Sequence, residues 1–500
     1  MTGSTSAATT MTTQELVRQL GDVVGSGNVY HRPADLLVYE YDGSVEGAVD
    51  IARPAAVVLP RTTEEVAAVV RIANAAGLPV TARGAGTGLS GGAVAQRGGV
   101  IVAMSRMDRV LEVDYVDRTA LVQPGVVNLE LSEYTQPQGF FFAPDPSSQK
   151  VSTIGGNVAE NAGGPHCVKY GVTTNHILGL EVVLPDGTIT RTGALARGGM
   201  GYDLTGIVVG SEGMLGIVTE VLVRLTPVAE QIRVFLAAFR EMEAASHAVG
   251  QIIAAGIVPA ALEMVDNLTI QAVEPVYHAG YPMDAAAVLL IELDGLTEEV
   301  EADAALIDGI CRGCGSYDIR AATSVYEREQ LWKGRKMALA AMGRLAPNYY
   351  LHDTVVPRSR LPQTLAEVRR ITDSAGLRCA QVFHAGDGNL HPLMLFDRSE
   401  KGAVDRVLHA SHEIIHACVE AGGSLSGEHG IGTEKRNYMP FVYTGEDLAA
   451  MAGVKMAFDP REMFNPEKVF PSGFRCGEVR ALHNQLRAQR LMREHGIVPV

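Results

Sequence analysis

Residues 79–92 read PVTARGAGTGLSGG, and this stretch decides the fold of the first half of the chain. It follows the segment TTEEVAAVVRIANAAGL (62–78), whose apolar residues recur with helical spacing. The glycines at positions 84, 86, 88, 91 and 92 leave backbone N–H groups uncovered, and such groups form nests that bind anions. The run therefore predicts a pyrophosphate-binding loop, with a purely structural loop as the alternative.

The glycine spacing is not that of a Rossmann dinucleotide-binding unit. In that unit the glycines follow the first strand, open a long helix, and an acidic residue ends the next strand. Here the run follows a helix and a short strand (79–82), and no acidic residue stands at the expected spacing. The sequence therefore indicates a different cofactor-binding fold.

Two further Gly-rich segments lie in the same half of the chain. Residues 144–164 read PDPSSQKVSTIGGNVAENAGG, and residues 210–220 read GSEGMLGIVTE. A single large cofactor with several phosphates explains three such turns most economically. Asn157 and Asn161 supply donors and acceptors suited to the edge of a heteroaromatic ring.

The second half of the chain carries two short motifs rich in possible metal ligands. They read FHAGDGNLHP (383–392) and SGEHGIG (426–432). Two imidazoles and a carboxylate, from His384, His391 and Glu428, suffice for a facial set on a divalent metal with sites left open for substrate. His429 stands beside Glu428 and is a candidate base, with orientation of Glu428 as its alternative role. In the alternative without metal, the two histidines cap strand ends.

Composition and charge narrow the class of protein. A chain of 500 residues is expected to form two or three domains, and 47% hydrophobic with 20% charged residues is ordinary for a globular enzyme. The net charge of −15 argues against a nucleic-acid partner. We expect no transmembrane segment and no signal peptide, and hence a cytoplasmic protein. Of six cysteines only Cys311 and Cys314 have ligand spacing, so an iron–sulfur cluster is expected only on another polypeptide.

Apolar patterns divide the chain into segments. Residues 1–13 are predicted to be disordered. Residues 14–229 are predicted to form a cofactor domain that begins with a β-α-β unit and contains a hairpin closed by Asp186-Gly187. Alternating strands and helices over 230–455 predict an antiparallel sheet flanked by helices. Residues 456–500 are predicted to form a C-terminal segment that returns to the first domain. The predicted fold class is α+β.

The three Gly-rich segments, in this order, resemble the PCMH-type FAD-binding domain of the vanillyl-alcohol-oxidase flavoproteins. The second half, with HAGDGNLHP and SGEHGIG, resembles the C-terminal domain of FAD-linked oxidases. The resemblance covers residues 30–471 and is strongest to FAD subunits of bacterial glycolate oxidases, with D-lactate and D-2-hydroxyglutarate dehydrogenases as near relatives. It implies a two-lobed FAD domain followed by a cap domain that binds the substrate.

This resemblance implies a set of cofactor contacts. The predicted FAD-binding residues are Arg83, Gly84, Ala85, Gly86, Thr87, Gly88, Pro144, Asp145, Gly155, Gly156, Asn157, Asn161, Gly163, Glu212, Gly216 and Ile217. Covalently flavinylated relatives carry a histidine in the first Gly-rich loop, and none stands in residues 79–92. Non-covalent FAD is therefore expected, with His166 and Cys167 as the other candidates for a link.

The resemblance also implies a reaction, the oxidation of a 2-hydroxy acid to a 2-oxo acid. His384, His391 and Glu428 would hold Zn²⁺, with Mn²⁺ or Fe²⁺ as alternatives, and His429 would take the hydroxyl proton. Arg335 is the candidate clamp for the substrate carboxylate, and Asn389 binds the substrate or steadies the ligand loop. A solvent-exposed arginine is the alternative for Arg335.

Substrate size follows from two positions of the same comparison. Where hydroxyglutarate-oxidising relatives carry threonine and lysine, this chain has Leu339 and Leu351. A small monocarboxylic acid, glycolate or D-lactate, is therefore expected. The alternative substrate is D-2-hydroxyglutarate, whose second carboxylate would need a cation from Lys336 or Arg344. The alternative functions are ether-lipid synthesis and that of a catalytically silent assembly subunit.

The partners implied are the small acid, a second flavin subunit and an iron–sulfur subunit, with a homodimer as a further assembly. No nicotinamide site is evident, so electrons are expected to pass to another acceptor. Association with a membrane, if present, would be peripheral and through a partner.

Overall fold

The computed structural model describes residues 11–44, 52–194 and 201–472. Residues 1–10 of the predicted disordered N-terminus and residues 473–500 of the predicted C-terminal segment lie outside these ranges. The first half of the described chain forms two main sheets, and the second half forms one large sheet.

The first lobe combines a four-stranded sheet with three helices. Its helices are α1 (Thr13–Val24), α2 (Pro33–Leu36) and α3 (Thr63–Ala75), and its strands are β1 (Val29–Tyr30), β2 (Ala56–Val58), β3 (Val80–Arg83) and β4 (Val100–Ala103). The strand order is β1-β2-β4-β3, and β2, β4 and β3 run parallel. Thr62 caps α3 by accepting a hydrogen bond from the N–H of Glu65, and Val66 and Val70 bury the apolar face that the sequence pattern predicts. Because β3 ends at Arg83, the Gly-rich loop leaves the sheet at the carboxyl end of a parallel strand.

The second lobe is an antiparallel sheet in the order β5-β6-β10-β8-β9. Its strands, with the short pair β7 and β11, are β5 (Val110–Asp114), β6 (Thr119–Val122), β7 (Phe140–Phe141), β8 (Ile177–Val183), β9 (Ile189–Gly193), β10 (Ile217–Arg224) and β11 (Thr226–Pro227). Its helices are α4 (Asn128–Thr135), α5 (Ile154–Glu160), α6 (Cys167–Tyr170) and α7 (Leu204–Val208). The predicted hairpin is confirmed: the N–H of Leu184 donates to the carbonyl of Thr188, and Gly187 has a φ of +83°.

The cap is a nine-stranded sheet in which all strand pairs are antiparallel. Its strands are β12 (Gln231–Phe239), β13 (Ala261–Asp266), β14 (Ala287–Gly295), β15 (Ser316–Ala321), β16 (Asn348–Leu351), β17 (Thr354–Val355), β18 (Arg378–His384), β19 (Asn389–Leu390) and β20 (Pro392–Phe396). The main path is β15-β12-β14-β13-β18-β19-β17, and β20 pairs with both β18 and β16.

Helices cover both faces of the cap sheet. They are α8 (Met242–Ala254), α9 (Asn267–Tyr277), α10 (Thr297–Gly313), α11 (Val325–Lys336), α12 (Ala338–Ala341), α13 (Leu361–Ser374) and α14 (Ala403–Glu420), and α15 (Gly445–Phe458) follows the sheet. Along β14, Leu289 and Ile291 pack into one core while Val288 and Leu290 pack into the other. This explains the continuous apolar run of that strand, since both of its faces are buried. The predicted α+β class, with an antiparallel sheet flanked by helices, is confirmed.

One long helix that the sequence pattern predicts is interrupted in the structure. The pattern over 325–343 predicts a single helix, but α11 ends at Lys336 and α12 starts at Ala338. Met337 between them has a φ of −93° and a ψ of 3°, which breaks the helical hydrogen-bond series. Arg335 on α11 and Leu339 on α12 line the same cavity.

The segment after α15 lies against the first lobe. The N–H of Val80 on β3 donates to the carbonyl of Met463, and the N–H of Asn465 donates to the carbonyl of Val80, both at 2.8 Å. Phe464 is buried in the core of that lobe. Among the residues the structure describes, no helix combines the length and the apolar character needed to cross a membrane.

Candidate active site

A cavity of about 420 Å³ lies between the first half of the chain and the cap. The Gly-rich loop and α5 form one side, and residues of α11, α12, β16 and the two histidine-containing motifs form the other. The two sides meet closely: a Cβ added at Gly163 would lie 2.7 Å from Oε2 of Glu428. The predicted cofactor loops and the predicted metal ligands therefore share one cavity.

The loop at 84–88 has the properties of an anion-binding nest. Within residues 11–44, 52–194 and 201–472, its backbone N–H groups donate to no protein acceptor, although the loop lines the cavity. Gly86 has a φ of +73°, which favours glycine, and a Cβ added at Gly88 would meet no protein atom within 4 Å. Free donors and open space beside them suit a diphosphate, so the loop fits the FAD that the sequence resemblance implies.

The predicted FAD-binding residues fall into three groups. Nine line the cavity: Gly84, Ala85, Gly86, Thr87, Gly88, Gly156, Asn157, Gly163 and Glu212. Four others line a small adjoining cavity of about 50 Å³, namely Arg83, Gly155, Gly216 and Ile217. Three line neither cavity, and their polar groups bond elsewhere: Pro144 to Asn128, Asp145 to His166, and Asn161 to the N–H of Thr174.

The proposed metal ligands converge on one carboxylate oxygen. Nε2 of His384 lies 3.2 Å, and Nε2 of His391 lies 3.3 Å, from Oε1 of Glu428. His384 ends β18 and pairs with Asn389 on β19, so the tight turn 385–388 brings His391 back beside it. The strand-end position of the alternative interpretation is thus present. Both ring nitrogens of His384 face side chains, whereas Nδ1 of His391 contacts a backbone carbonyl just after β16.

The other nitrogen of each imidazole is held by a second hydrogen bond. Nδ1 of His384 lies 2.7 Å from Oε1 of Glu263, and Nδ1 of His391 lies 3.1 Å from the carbonyl oxygen of His352. Both acceptors require the proton on Nδ1, which leaves the Nε2 lone pair for a ligand. Imidazoles that bind metals are usually oriented in this way. The donor set, two neutral nitrogens and one carboxylate, therefore fits a divalent transition metal.

The charges of the site are strongly coupled. Burial would raise the pKa of Glu428, but the neighbouring His384 and His391 hold it below its usual range. Burial would lower the pKa of His384, but Glu263 and Glu428 raise it well above its usual value. A metal ion at Nε2 would take the place of the second proton on this ring.

Asp353 fixes the loop that carries Glu428. Its carboxylate accepts hydrogen bonds from Oγ of Ser426 at 2.6 Å and from the N–H groups of Gly427 at 3.0 Å and His429 at 2.9 Å. Nζ of Lys435 adds a contact at 3.1 Å. Asp353, His391 and His429 are also close enough to share an ion, but these donors already occupy the Asp353 carboxylate. The set His384, His391 and Glu428 is therefore the better candidate.

His429 lies parallel to His391, with ring centroids 5.2 Å apart and an interplanar angle of 6°. Its Nε2 faces Glu428 at 3.9 Å, and its Nδ1 lies 4.0 Å from Asp353. Burial lowers the pKa of His429 to about 4, so the ring is neutral near pH 7 and able to accept a proton. It lines the cavity beside the proposed metal ligands.

The predicted substrate residues differ in position. Arg335 is buried, lines the cavity, and donates from Nε to Oε2 of Glu263 at 2.6 Å. Its solvent-exposed alternative is therefore wrong. Asn389 is outside the cavity lining, and a Cβ added at Gly427 would lie 2.5 Å from its amide group, so it packs against the ligand loop. Leu339 and Leu351 both line the cavity.

Sequence reasoning missed Glu263 and the role of Asp353. Glu263 is the one charged residue among the apolar residues at positions 260–265, and a lone carboxylate in such a strand is a usable signal. The role of Asp353 could not be predicted from local sequence, because its partners Ser426 and Lys435 are distant in sequence.

Comparison with known proteins gives a consistent result. Residues 54–193 match the FAD binding domain model, and residues 228–469 match the model for the C-terminal domain of FAD linked oxidases. The chain is 46% identical to glycolate oxidase subunit GlcD of Escherichia coli, with 91% of each chain covered. It is 41% identical to the subunit of the same name from Bacillus subtilis, over 92% of this chain and 97% of the relative. The chain is 31% identical to the mitochondrial D-lactate dehydrogenase [cytochrome] of Arabidopsis thaliana, over 92% of this chain and 80% of the relative.

Solved structures with a similar fold are more distant in sequence. p-Cresol methylhydroxylase gives a TM-score of 0.78 at 18% identity, covering 92% of this chain and 98% of that one. Alkyldihydroxyacetonephosphate synthase gives a TM-score of 0.69 at 19% identity, covering 91% of this chain and 85% of that one. At these identities the likeness concerns the fold alone.

Proposed function

The chain belongs to the FAD-linked oxidases, and we propose that it oxidises a small 2-hydroxy acid, glycolate or D-lactate, to the 2-oxo acid. The observation that carries this proposal is the convergence of two oriented imidazole nitrogens and Glu428 on the wall of the cavity that the Gly-rich loop also lines. Relatives named as a glycolate oxidase subunit and as a D-lactate dehydrogenase support the substrate class.

Each side of the cavity has a separate part in the proposed reaction. The N–H groups of residues 84–88 would hold the diphosphate of FAD, which when bound supplies the hydride acceptor. His384, His391 and Glu428 would hold a divalent cation, Zn²⁺ or alternatively Mn²⁺ or Fe²⁺, which supplies Lewis acidity toward the substrate oxygens. The terminal amino groups of Arg335 would bind the substrate carboxylate, and the cap residues that line the cavity would limit the access of water.

His429 is the proposed base. Its Nε2 faces the ligand cluster, and its low pKa keeps the ring neutral near pH 7. It would accept the hydroxyl proton of the substrate at Nε2 while the hydride leaves Cα. The nearby Asp353 carboxylate would then stabilise the protonated ring.

Non-covalent attachment of FAD is part of the proposal. Both ring nitrogens of His166 are engaged, Nδ1 by Asp145 at 2.7 Å and Nε2 by Glu292 at 3.2 Å. Neither His166 nor Cys167 lines the cavity among the described residues. These contacts argue against either residue as an attachment point.

The assembly is proposed from the relatives' names and the sequence. Relatives called a subunit support a complex, and we propose a second flavin subunit and an iron–sulfur subunit as partners, with a homodimer as a further assembly. Electrons would pass to a non-nicotinamide acceptor, and any membrane association would depend on a partner. We also propose 14–229 as the FAD domain, 230–455 as the cap and 456–500 as the returning segment.

A dye-linked assay of purified, FAD-loaded protein tests the proposal. Glycolate, D-lactate, L-lactate, D-2-hydroxyglutarate and an acyl-dihydroxyacetone phosphate would each be offered with an artificial electron acceptor. We expect turnover with glycolate or D-lactate and its loss in the Glu428→Gln variant. Turnover of none of the four hydroxy acids would reject the proposed reaction. Release of a fatty acid from the acyl-dihydroxyacetone phosphate in the presence of a fatty alcohol would then indicate ether-lipid synthesis, and no reaction at all would indicate an assembly subunit.

A further inference from the structure

Glu263 is a fully buried carboxylate in the middle of the apolar strand β13. Leu262 and Met264 on either side of it pack into one core, and Ala261 and Val265 pack into the other. An ionised carboxylate in such a place is costly unless charged or hydrogen-bonding partners compensate it. The partners of Glu263 therefore explain why this strand contains a charge.

The two carboxylate oxygens serve two different partners. Oε1 contacts Nδ1 of His384 at 2.7 Å, and Oε2 accepts a hydrogen bond from Nε of Arg335 at 2.6 Å. The sheet sets the first contact, because Glu263 and His384 are register partners on β13 and β18. Helix α11, packed against the same face, brings Arg335 to the second oxygen.

Each partner keeps its functional end directed away from Glu263. His384 turns Nε2 toward Glu428. The terminal amino groups of Arg335 donate no hydrogen bond to any residue in the described ranges, although the side chain is buried and lines the cavity. One carboxylate thus fixes both a proposed metal ligand and a proposed substrate clamp.

We propose that Glu263 is a positioning residue that sets the metal-binding tautomer of His384 and, at the same time, the direction of Arg335. This inference rests on the proposed function and extends it to a residue that touches neither substrate nor metal. It explains why a carboxylate is required: both partners donate to Glu263, so both of its oxygens must accept.

Glutamine at this position cannot serve both donors. Its amide oxygen accepts from one partner, and its amide nitrogen then faces the N–H of the other. If the oxygen stays with Arg335, His384 must expose a lone pair at Nδ1 and carry its proton on Nε2, where it blocks metal binding. If the oxygen stays with His384, Arg335 loses its anchor and the substrate carboxylate is held less well.

The test compares Glu263→Gln with Glu292→Gln. Glu292 is a matched control, since it is a buried carboxylate on the adjacent strand β14 and contacts His166 at 3.2 Å and Nε1 of Trp332 at 2.5 Å. It lies outside the lining of the cavity. Zn²⁺ affinity of the chelator-stripped, FAD-loaded proteins would be measured by competition with a chromophoric chelator, and kcat and KM for the preferred acid with a dye acceptor.

If the amide oxygen of the Glu263→Gln variant stays with Arg335, we expect Zn²⁺ to bind about 10- to 100-fold more weakly, as for the loss of a residue that orients a ligand. If it stays with His384, we expect KM for the acid, measured at saturating Zn²⁺, to rise by a larger factor than kcat falls. The Glu292→Gln variant should retain wild-type Zn²⁺ affinity and KM. Glu263→Asp, which keeps the charge but is too short to reach both partners, should weaken at least one of the two functions and serves if Glu263→Gln does not fold.

Unchanged Zn²⁺ affinity and KM in a folded Glu263 variant would overturn this inference alone. An equal loss in the Glu292→Gln control would also overturn it, because the effect would then be a general destabilisation of the cap. Wild-type protein that binds no Zn²⁺ would instead overturn the proposed metal site, and this inference with it.

Discussion

Replacing Leu351 by lysine is expected to shift the preference of the enzyme toward a dicarboxylic acid. Leu351 ends β16 and lines the cavity together with Leu339. The cations in the described lining are Arg335 and Lys336. Arg335 is the proposed partner of the first carboxylate, and the side chain of Lys336 is exposed, with its ammonium 5.5 Å from the ring centroid of Trp332. A second carboxylate would therefore lie against leucine side chains without a buried partner.

The size of the effect follows from the cost of burying that charge. An unpaired carboxylate that loses part of its hydration costs on the order of 3 kcal/mol, and 1.4 kcal/mol corresponds to a factor of ten in rate. The wild-type protein should therefore favour D-lactate over D-2-hydroxyglutarate by roughly a hundredfold in kcat/KM. A lysine at 351 recovers a charge-assisted hydrogen bond of about 1.5–3 kcal/mol, so the ratio should move by about 10- to 100-fold toward the dicarboxylate.

The assay is kcat/KM for glycolate, D-lactate, L-lactate and D-2-hydroxyglutarate with a dye acceptor. Leu345→Lys is the control, because Leu345 packs against the same core but is absent from the cavity lining. A wild-type preference for D-2-hydroxyglutarate would refute the reasoning and point to Lys336 or Arg344 as the distal partner. An identical shift in both lysine variants would also refute it.

Three further predictions concern the cofactor, the metal site and the contact between the two halves. Gly88→Val should abolish FAD retention without unfolding the protein, since the valine side chain would meet only the space proposed for the diphosphate. The wild-type protein should release its FAD on treatment with acid. The visible flavin spectrum measures retention in the variant and release from the wild type. His429→Ala should keep Zn²⁺ bound but reduce turnover by about 10²- to 10⁴-fold, whereas Glu428→Gln should lose both Zn²⁺ and turnover while the flavin spectrum persists. His166→Gln should lower the unfolding free energy by about 2–4 kcal/mol at pH 6. Burial would lower the pKa of His166, but Asp145 and Glu292 raise it well above its usual value, so its stabilising effect is complete below about pH 6.5 and is lost as the pH rises through the raised pKa. Urea denaturation at several pH values should therefore show that the difference in unfolding free energy between the wild-type protein and the His166→Gln variant becomes smaller at alkaline pH.

Local patterns predicted the elements of this fold well. The apolar run at 286–293 predicts a strand, the Asp186-Gly187 turn predicts a hairpin, and the helical spacing at 297–313 predicts a helix. Each pattern depends on neighbouring residues, and each element forms where its pattern indicates. The interruption at Met337 was not predictable, because the sequence around it favours a continuous helix.

The candidate site was predicted only where its residues lie in short motifs. His384 and His391 stand seven residues apart on one turn, so their proximity is a local property. The contact between Glu263 and His384 joins residues 121 positions apart through the register of β13 and β18, which no local pattern specifies. Asn161 shows the opposite outcome. The sequence predicts that it binds the ring of the cofactor, but in the structure it ends α5 in the left-handed conformation, and its side chain accepts a hydrogen bond from the N–H of Thr174.

Anaerobic reduction of the bound flavin tests the central claim most directly, because it needs no external electron acceptor. FAD-loaded protein would be mixed with glycolate or D-lactate in a stopped-flow instrument, once with Zn²⁺ restored and once after chelation. We predict rapid bleaching of the oxidised-flavin absorbance with the metal-loaded protein and bleaching slower by orders of magnitude with the stripped protein. Equal rates in the two preparations would contradict the assignment of His384, His391 and Glu428 as ligands of a catalytic metal, and the absence of bleaching with either acid would contradict the proposed reaction.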